Sequence, residues 1–345
     1  MSEIFELVTL FDAVLELCKV KNGEIFAVLT EGGGNADYAD AFLLAARERG
    51  ASAYQVNVPK SVPRPGSLKK LTSLSGNTGA VAALKGADMI LDLIGLLWSA
   101  EQRELQAAGA RILTCRESAE NIVRMFPTAE LRRRVEAGAK ELSSARRMHV
   151  TSSAGTDVVY QLGQYPVITQ YGYTDEPGRW DNLPGGFLYS GGKDDGVDGI
   201  VVVAPGDMIF PFKRYLTDPI RLVIERGSIV RIEGDHLDAE LLRDYMARWQ
   251  DPRAYAVSHI GWGMDEKARW NFLATSPASS QTGRDGRAFY GNVLFSTGPN
   301  SELGGNNDTG CHLDVPLRNC SLILDDREII KNGTIVPAAL RAAGR

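Results

Sequence analysis

Glu24-Ile25-Phe26-Ala27-Val28-Leu29-Thr30-Glu31-Gly32-Gly33-Gly34-Asn35 decides how the first third of the chain folds. Its short apolar run suits a buried strand, the glycines break it, and a helical pattern follows from about Asp37 to Arg49. Ala51 to Val56 reads as the next strand, which makes a βαβ unit with parallel strands. The triple glycine lacks the G-x-G-x-x-G spacing, and no acidic residue closes the following strand. A tight turn therefore explains it better than a dinucleotide site.

Working outward, Leu7, Leu10, Phe11, Val14, Leu15 and Cys18 recur at spacings of three and four, predicting an amphipathic helix over residues 3–19. The strand–helix pattern repeats at Ala87–Ile94, Ala100–Ala108 and Arg111–Thr114. This predicts an α/β N-terminal domain, Rossmann-like with a mainly parallel sheet, over residues 1–125. Residues 60–77 are rich in Pro, Ser and Gly and read as a surface loop lying over a site. Residues 117–144 read as helical with a break near Pro127, and Glu130 to Lys140 as a solvated helix bridging the two halves.

After His149 the texture changes to short β-branched runs separated by turns: Asp157–Tyr160, Gly199–Val203, Ile220–Ile224 and Ser228–Ile232. A helix from about Asp238 to Arg248 interrupts them. Strands resume at Val293–Ser296, Ser321–Leu324 and Glu328–Lys331, with Asn332-Gly333 as a turn dipeptide. Residues 126–345 are thus expected to form a larger, β-rich α+β domain.

Composition excludes several classes. At 345 residues, 44% hydrophobic and 23% charged, with a net charge of -5, the chain is mildly acidic and has no basic run. Neither nucleic acid nor an anionic membrane is an expected partner. No apolar stretch approaches the ~20 residues that span a bilayer, and the acidic start lacks the pattern of a secretory signal. Four cysteines without a CxxC pattern read as thiols in a reducing cytoplasm.

The chemistry is expected near the C-terminus, in Gly310-Cys311-His312-Leu313-Asp314-Val315-Pro316. In an extended segment His312 and Asp314 leave the same face and can converge on one metal ion, whereas Cys311 opposes His312. An isolated His-x-Asp is also an ordinary polar pair on a strand. His259, ending a strand-like run over residues 254–258 before Gly261-Trp262-Gly263, is the leading third ligand. The other copy, His236-Leu237-Asp238, enters a helix, where positions i and i+2 point about 200° apart and do not chelate one ion. His149 begins a β run, either as a satisfied structural histidine or as one facing a cleft.

Gly155-Thr156-Asp157, Gly178-Arg179-Trp180-Asp181-Asn182-Leu183-Pro184-Gly185-Gly186-Phe187, Val197-Asp198-Gly199-Ile200, the Gly261-Trp262-Gly263-Met264 loop and Gly304-Gly305-Asn306-Asn307 leading to His312 resemble the aminopeptidase T type of metallopeptidase along most of the chain. That resemblance implies a metal carried by the C-terminal β-rich domain. The peptidases place metal-binding glutamates where this chain has Phe187 and His259, and a histidine where it has Leu294. Losing those ligands argues against two-metal peptide hydrolysis, the rival function on this scaffold. The chain is similar to the 2,5-dihydroxypyridine 5,6-dioxygenase branch, which implies one Fe(II) per chain held by His259, His312 and Asp314, although Zn or Mn would also accept this set. It further implies a small aromatic N-heterocycle and O2 as substrates, C5–C6 cleavage to N-formylmaleamic acid, and a role in nicotinate or nicotine breakdown. Ser296, in register with the lost peptidase ligand, is expected to hydrogen-bond substrate or oxygen, and His149 is available as the acid–base residue. Arg179, Trp180 and Phe187, read as one glycine-rich loop, are expected to line the aromatic pocket. A homo-oligomer is expected.

Overall fold

The computed structural model describes residues 2–61, 71–97, 99–277 and 282–344. Residues 62–70, half of the loop expected over residues 60–77, therefore lie outside the described residues. In chain order the elements begin with α1 Ser2–Leu17, β1 Ile25–Glu31, α2 Ala36–Glu48, β2 Ser52–Val58, α3 Thr78–Lys85, β3 Met89–Asp92, α4 Ala100–Ala107, β4 Arg111–Cys115 and α5 Ala119–Arg124. Next come α6 Ala129–Ser144, β5 Arg147–Ser152, β6 Asp157–Gln161, β7 Ile168–Gln170, β8 Trp180–Leu183, β9 Phe187–Gly191, β10 Val197–Val203, β11 Met208–Ile209, β12 Arg214–Tyr215, β13 Ile220–Glu225, β14 Ser228–Glu233 and α7 Leu237–Ala247. The last are β15 Val257–Gly263, α8 Phe272–Thr275, α9 Arg284–Ala288, β16 Val293–Thr297, β17 Leu313–Leu317, β18 Cys320–Leu324, β19 Arg327–Lys331 and β20 Thr334–Ile335.

The architecture is mixed α/β, with one five-stranded parallel sheet and antiparallel sheets of up to eight strands. The chain divides into two compact units, residues 1–65 with 70–127 and 171–185, and residues 66–69 with 128–170 and 186–345. The first unit holds a five-stranded sheet of order β2-β1-β3-β4-β8, parallel throughout. Its inner strands β1, β3 and β4 are buried and mostly apolar, as expected of a parallel sheet covered on both faces. The triple glycine makes the turn after β1, with Gly32 and Gly33 at φ +57° and +74° and the Gly34 N–H donating to Glu31 O at 2.9 Å. The return of residues 171–185 supplies β8 at the edge of this sheet, an excursion that a single boundary at 125/126 does not contain.

The second unit holds an eight-stranded sheet, β14-β13-β10-β6-β5-β18-β19-β20, and a five-stranded sheet, β17-β16-β15-β9-β7, both antiparallel. One face of the smaller sheet carries Leu188, Ile260, Trp262, Val293, Phe295, Leu313, Val315 and Leu317 into a shared core with the larger sheet. By the two-residue alternation, the other face carries Phe187, Tyr189, His259, Gly261, Leu294, Ser296 and Asp314.

Four local expectations are corrected. The Arg/Glu-rich helix α6 is not simply solvated, because its inner face buries Leu131, Arg134, Val135, Gly138 and Leu142. Arg134 is wholly buried, donating to Met264 O at 2.7 Å and pairing with Glu266 at 2.5 Å. Gly138 lets the helix approach Trp262 and Leu188, which an added Cβ would touch at 3.2 and 3.0 Å. Residues 252–255 form a 3₁₀ turn, and the strand begins later, so His259 lies inside β15 instead of beyond a strand end. Gly261-Trp262-Gly263 belongs to that strand, not to a loop. Gly261 is needed there because a Cβ would overlap the Leu188 carbonyl of the neighbouring strand. Finally, Arg179, Trp180 and Phe187 do not share one loop. Trp180 opens β8 and Phe187 opens β9, in different sheets, separated by a turn with a cis Leu183-Pro184 bond.

Candidate metal centre

Three strands build the site. β15 brings His259, and β16 and the start of β17 bring Ser296, Asp314 and, just before the strand, His312. Between Val257 and Ile260 the β15–β16 register slips by one residue, so Ser258 and His259 together oppose Ser296. Such a bulge re-aims a side chain and leaves its backbone without regular ladder partners. Ser296 fills that need: its Oγ accepts from the His259 N–H at 2.9 Å and donates to the His259 carbonyl at 3.1 Å. The hydroxyl's one proton is spent on His259, which leaves an acceptor lone pair for any substrate.

His259, His312 and Asp314 each present one ligand atom, all within 4.8 Å of one another. His259 Nε2 and His312 Nε2 both stand 3.3 Å from Asp314 Oδ1. His312 Nδ1 lies 3.0 Å from the Thr297 carbonyl, so it donates there and turns Nε2 inward. Asp314 Oδ2 is taken by Arg287 Nε at 2.6 Å. Among the described residues, buried Asp314 Oδ1 has no regular hydrogen-bond donor, only the two imidazole nitrogens at 3.3 Å. A buried carboxylate oxygen of this kind needs an explanation, and a divalent cation between it and two imidazoles supplies one. The donor set therefore fits a metal ion.

Burial pushes the His259 ring down to about 3, against the pull of Asp314, so the imidazole is neutral and its lone pair available near neutral pH. Burial opposes ionisation of Asp314, but Arg287, His312 and His259 outweigh it and hold the carboxyl well below its usual range. The Tyr189 ring lies 4.7 Å from the His259 ring, and Phe187 lies 5.8 Å beyond it on the same sheet face. Arg284 stands over Phe187 at 5.7 Å and donates to Gln170 at 3.1 Å. Cys311 is buried with its thiol pushed up to about 12, and it stands outside the triad.

The remaining sequence candidates fall elsewhere. His149 is on β5 of the eight-stranded sheet, 2.7 Å from Asp157. In the first unit, Trp180 packs in a core cluster and donates to Thr114 Oγ1 at 3.0 Å. Arg179 stacks on Tyr171 at 3.8 Å and pairs with Asp181 at 2.8 Å. The helix argument against His236 and Asp238 is overturned, because with Asp218 they too gather within 4.8 Å. His236 is the N-cap, with extended φ −140° and ψ 167°, so helical spacing does not apply to it. There Asp238 is occupied by Arg214 and by the amides of Thr217 and Asp218, and His236 Nε2 by the Pro219 carbonyl. Sequence reasoning missed Tyr189 and Arg287. Tyr189 was discoverable from its i+2 spacing to Phe187, whereas Arg287, distant in sequence from Asp314, carries no local signal.

The sequence pattern of the 2,5-dihydroxypyridine 5,6-dioxygenase family matches residues 6–337. The chain is 42% identical, over 96% of both lengths, to a 2,5-dihydroxypyridine 5,6-dioxygenase of Pseudomonas putida KT2440. It superposes on the solved structure of the 2,5-dihydroxypyridine dioxygenase from Pseudomonas putida KT2440 with a TM-score of 0.94, covering 98% of this chain and 99% of that one. An AmpT protein from Thermus thermophilus shares the fold alone, at 15% identity and a TM-score of 0.63 over 96% of this chain and 99% of the other. The chain belongs to the 2,5-dihydroxypyridine 5,6-dioxygenase family.

Proposed function

We propose that this protein is an Fe(II)-dependent, ring-cleaving dioxygenase that opens 2,5-dihydroxypyridine between C5 and C6. Both atoms of O2 enter the product, N-formylmaleamic acid, so no external reductant is required. The observation that carries the reading is the triad of His259, His312 and Asp314 in a chain 42% identical to an enzyme of that name. When bound, Fe(II) would supply a centre with open positions at which the ring hydroxylate and O2 are activated together.

The chain's own residues do the rest. Neutral His259 and ionised Asp314 are ready to ligate without first losing a proton. Tyr189, Phe187 and Leu294 give the triad's sheet face an aromatic and apolar character suited to a flat ring. Phe187, on the triad's own sheet face, is a candidate for substrate binding. Ser296 offers its remaining lone pair to a substrate hydroxyl. Phe187 and Leu294 offer no ligand atom on this face, which favours one ion over the two of a cocatalytic peptidase.

The test is anaerobic reconstitution with Fe(II), followed by oxygen-electrode assay with 2,5-dihydroxypyridine. One O2 consumed per ring is expected, with His312→Ala and Asp314→Ala inactive. Wild-type rates in those variants would sink the triad. Two metal ions per chain with release of amino acids from peptides would instead support the peptidase.

A further inference from the structure

Asp314 is gripped from more sides than a metal ligand requires. Its backbone pairs with β16 opposite Ser296 and, on the other side, forms an antiparallel bridge to Phe210, whose N–H donates to Asp314 O at 2.8 Å. Its side chain meets Arg287 Nε at 2.6 Å. Arg287 is fixed in turn: Nη1 donates to the Thr282 carbonyl at 3.0 Å, and the guanidinium lies 4.7 Å from the centre of the Phe210 ring. The contacts close a loop, because the arginine that holds the Asp314 carboxylate stacks on the residue that holds the Asp314 backbone. Gly283, at φ +91°, makes room for it, since a Cβ there would crowd the Phe210 ring and Arg287 Nη1.

We propose that Arg287 is a positioning residue that commits Asp314 to a metal ion through Oδ1 alone. This rests on the reading of His259, His312 and Asp314 as a metal site. A carboxylate with both oxygens available can bind an ion in bidentate fashion and occupy a position that ring or O2 must use. With Oδ2 engaged by Arg287, the carboxylate supplies one bond, and the open face stays open. Arg287 is chosen over lysine for a geometric reason: a planar donor fixed at three points holds one oxygen at one angle, which a flexible ammonium does not.

The test uses the full-length apo protein and Co(II) as the probe, read by visible d–d absorption and by titration, with Arg287→Met, Arg287→Gln and Arg287→Lys. The expected result for Arg287→Met is a Kd for Co(II) weaker by roughly 10–100-fold and an altered d–d band. Arg287→Gln keeps a donor without the charge, so its band should move back towards wild type and its Kd should fall between the two. If Arg287→Met does not fold, Arg287→Gln and Arg287→Lys carry the test, and both are expected to depart from wild type in Kd. Wild-type Kd and spectrum in every folded variant, even with a lower Tm, would overturn the proposal and leave Arg287 as packing. Failure of the wild-type protein to bind Co(II), or wild-type binding by His312→Ala, would overturn the metal reading and this proposal with it.

Discussion

Ser296→Ala separates two roles for one hydroxyl. If Ser296 acts by bracing the bulge, the variant loses both hydrogen bonds to the His259 backbone, at 2.9 and 3.1 Å, inside a fully buried site. Stranding a buried polar group costs about 1–3 kcal/mol, and a β-bulge has few other partners for its backbone, so we expect about 2 kcal/mol. For a chain of 345 residues, at about 2.1 cal/mol/K of unfolding entropy per residue, that lowers Tm by roughly 3 °C. His259 would also lose its fixed aim, and divalent-metal affinity should fall roughly 10-fold or more, as when partners behind a ligand are removed. Calorimetry of the apo protein and Co(II) titration measure the two effects, with oxygen uptake at saturating Fe(II) as the third readout. A variant with unchanged Tm and metal affinity but a collapsed turnover rate would refute the bracing argument and make the hydroxyl a group that meets substrate or oxygen.

Two further outcomes follow from the geometry. His259 is held near 3 in the folded protein against about 6.5 when unfolded, so acid favours the unfolded chain, which takes up a proton that the folded one refuses. Apo-protein stability should therefore fall as pH drops from 6.5 towards 3, by up to about 1.4 kcal/mol per pH unit from this group, and Asp314, whose folded value is depressed, adds a loss in the same direction below its unfolded value of about 3.9. Denaturant melts across that range check it, and His259→Gln should flatten the slope above pH 4. Trp180→Phe keeps a core ring but removes the bond to Thr114, so about 1 kcal/mol of stability should be lost with KM for the ring substrate unchanged; a raised KM at full stability would restore Trp180 to the pocket.

Much of the architecture was legible because it is written in local periodicity. Apolar runs, glycine turns and three-to-four spacings locate β1, α2, β2, β3 and β4 within a few residues, and burial of both sheet faces accounts for the apolar runs of β1, β3 and β4. The misreadings share one cause. Gly261-Trp262-Gly263 has the composition of a loop, and only the close approach of β9, which a side chain at Gly261 would overlap, explains glycine inside a central strand. Arg134 has the composition of a solvated helix face, and only the Met264 carbonyl and Glu266 waiting on other segments explain its burial. His236 was judged by helical spacing although it stands in the extended N-cap position.

The sequence by itself determined the alternation of strand and helix, the change to β texture after His149, and the pairing of His312 with Asp314, because an extended backbone puts i and i+2 on one face whatever surrounds it. Through resemblance it also nominated His259. Only the tertiary structure decided what stands behind these residues. Ser296 braces a bulge that appears when two strands pair out of step, the Thr297 carbonyl turns His312, and Arg287 takes one oxygen of Asp314 from 27 residues away. A ligand's identity is a local property of the chain, but its aim and charge state depend on neighbours that meet it only after the sheet has formed.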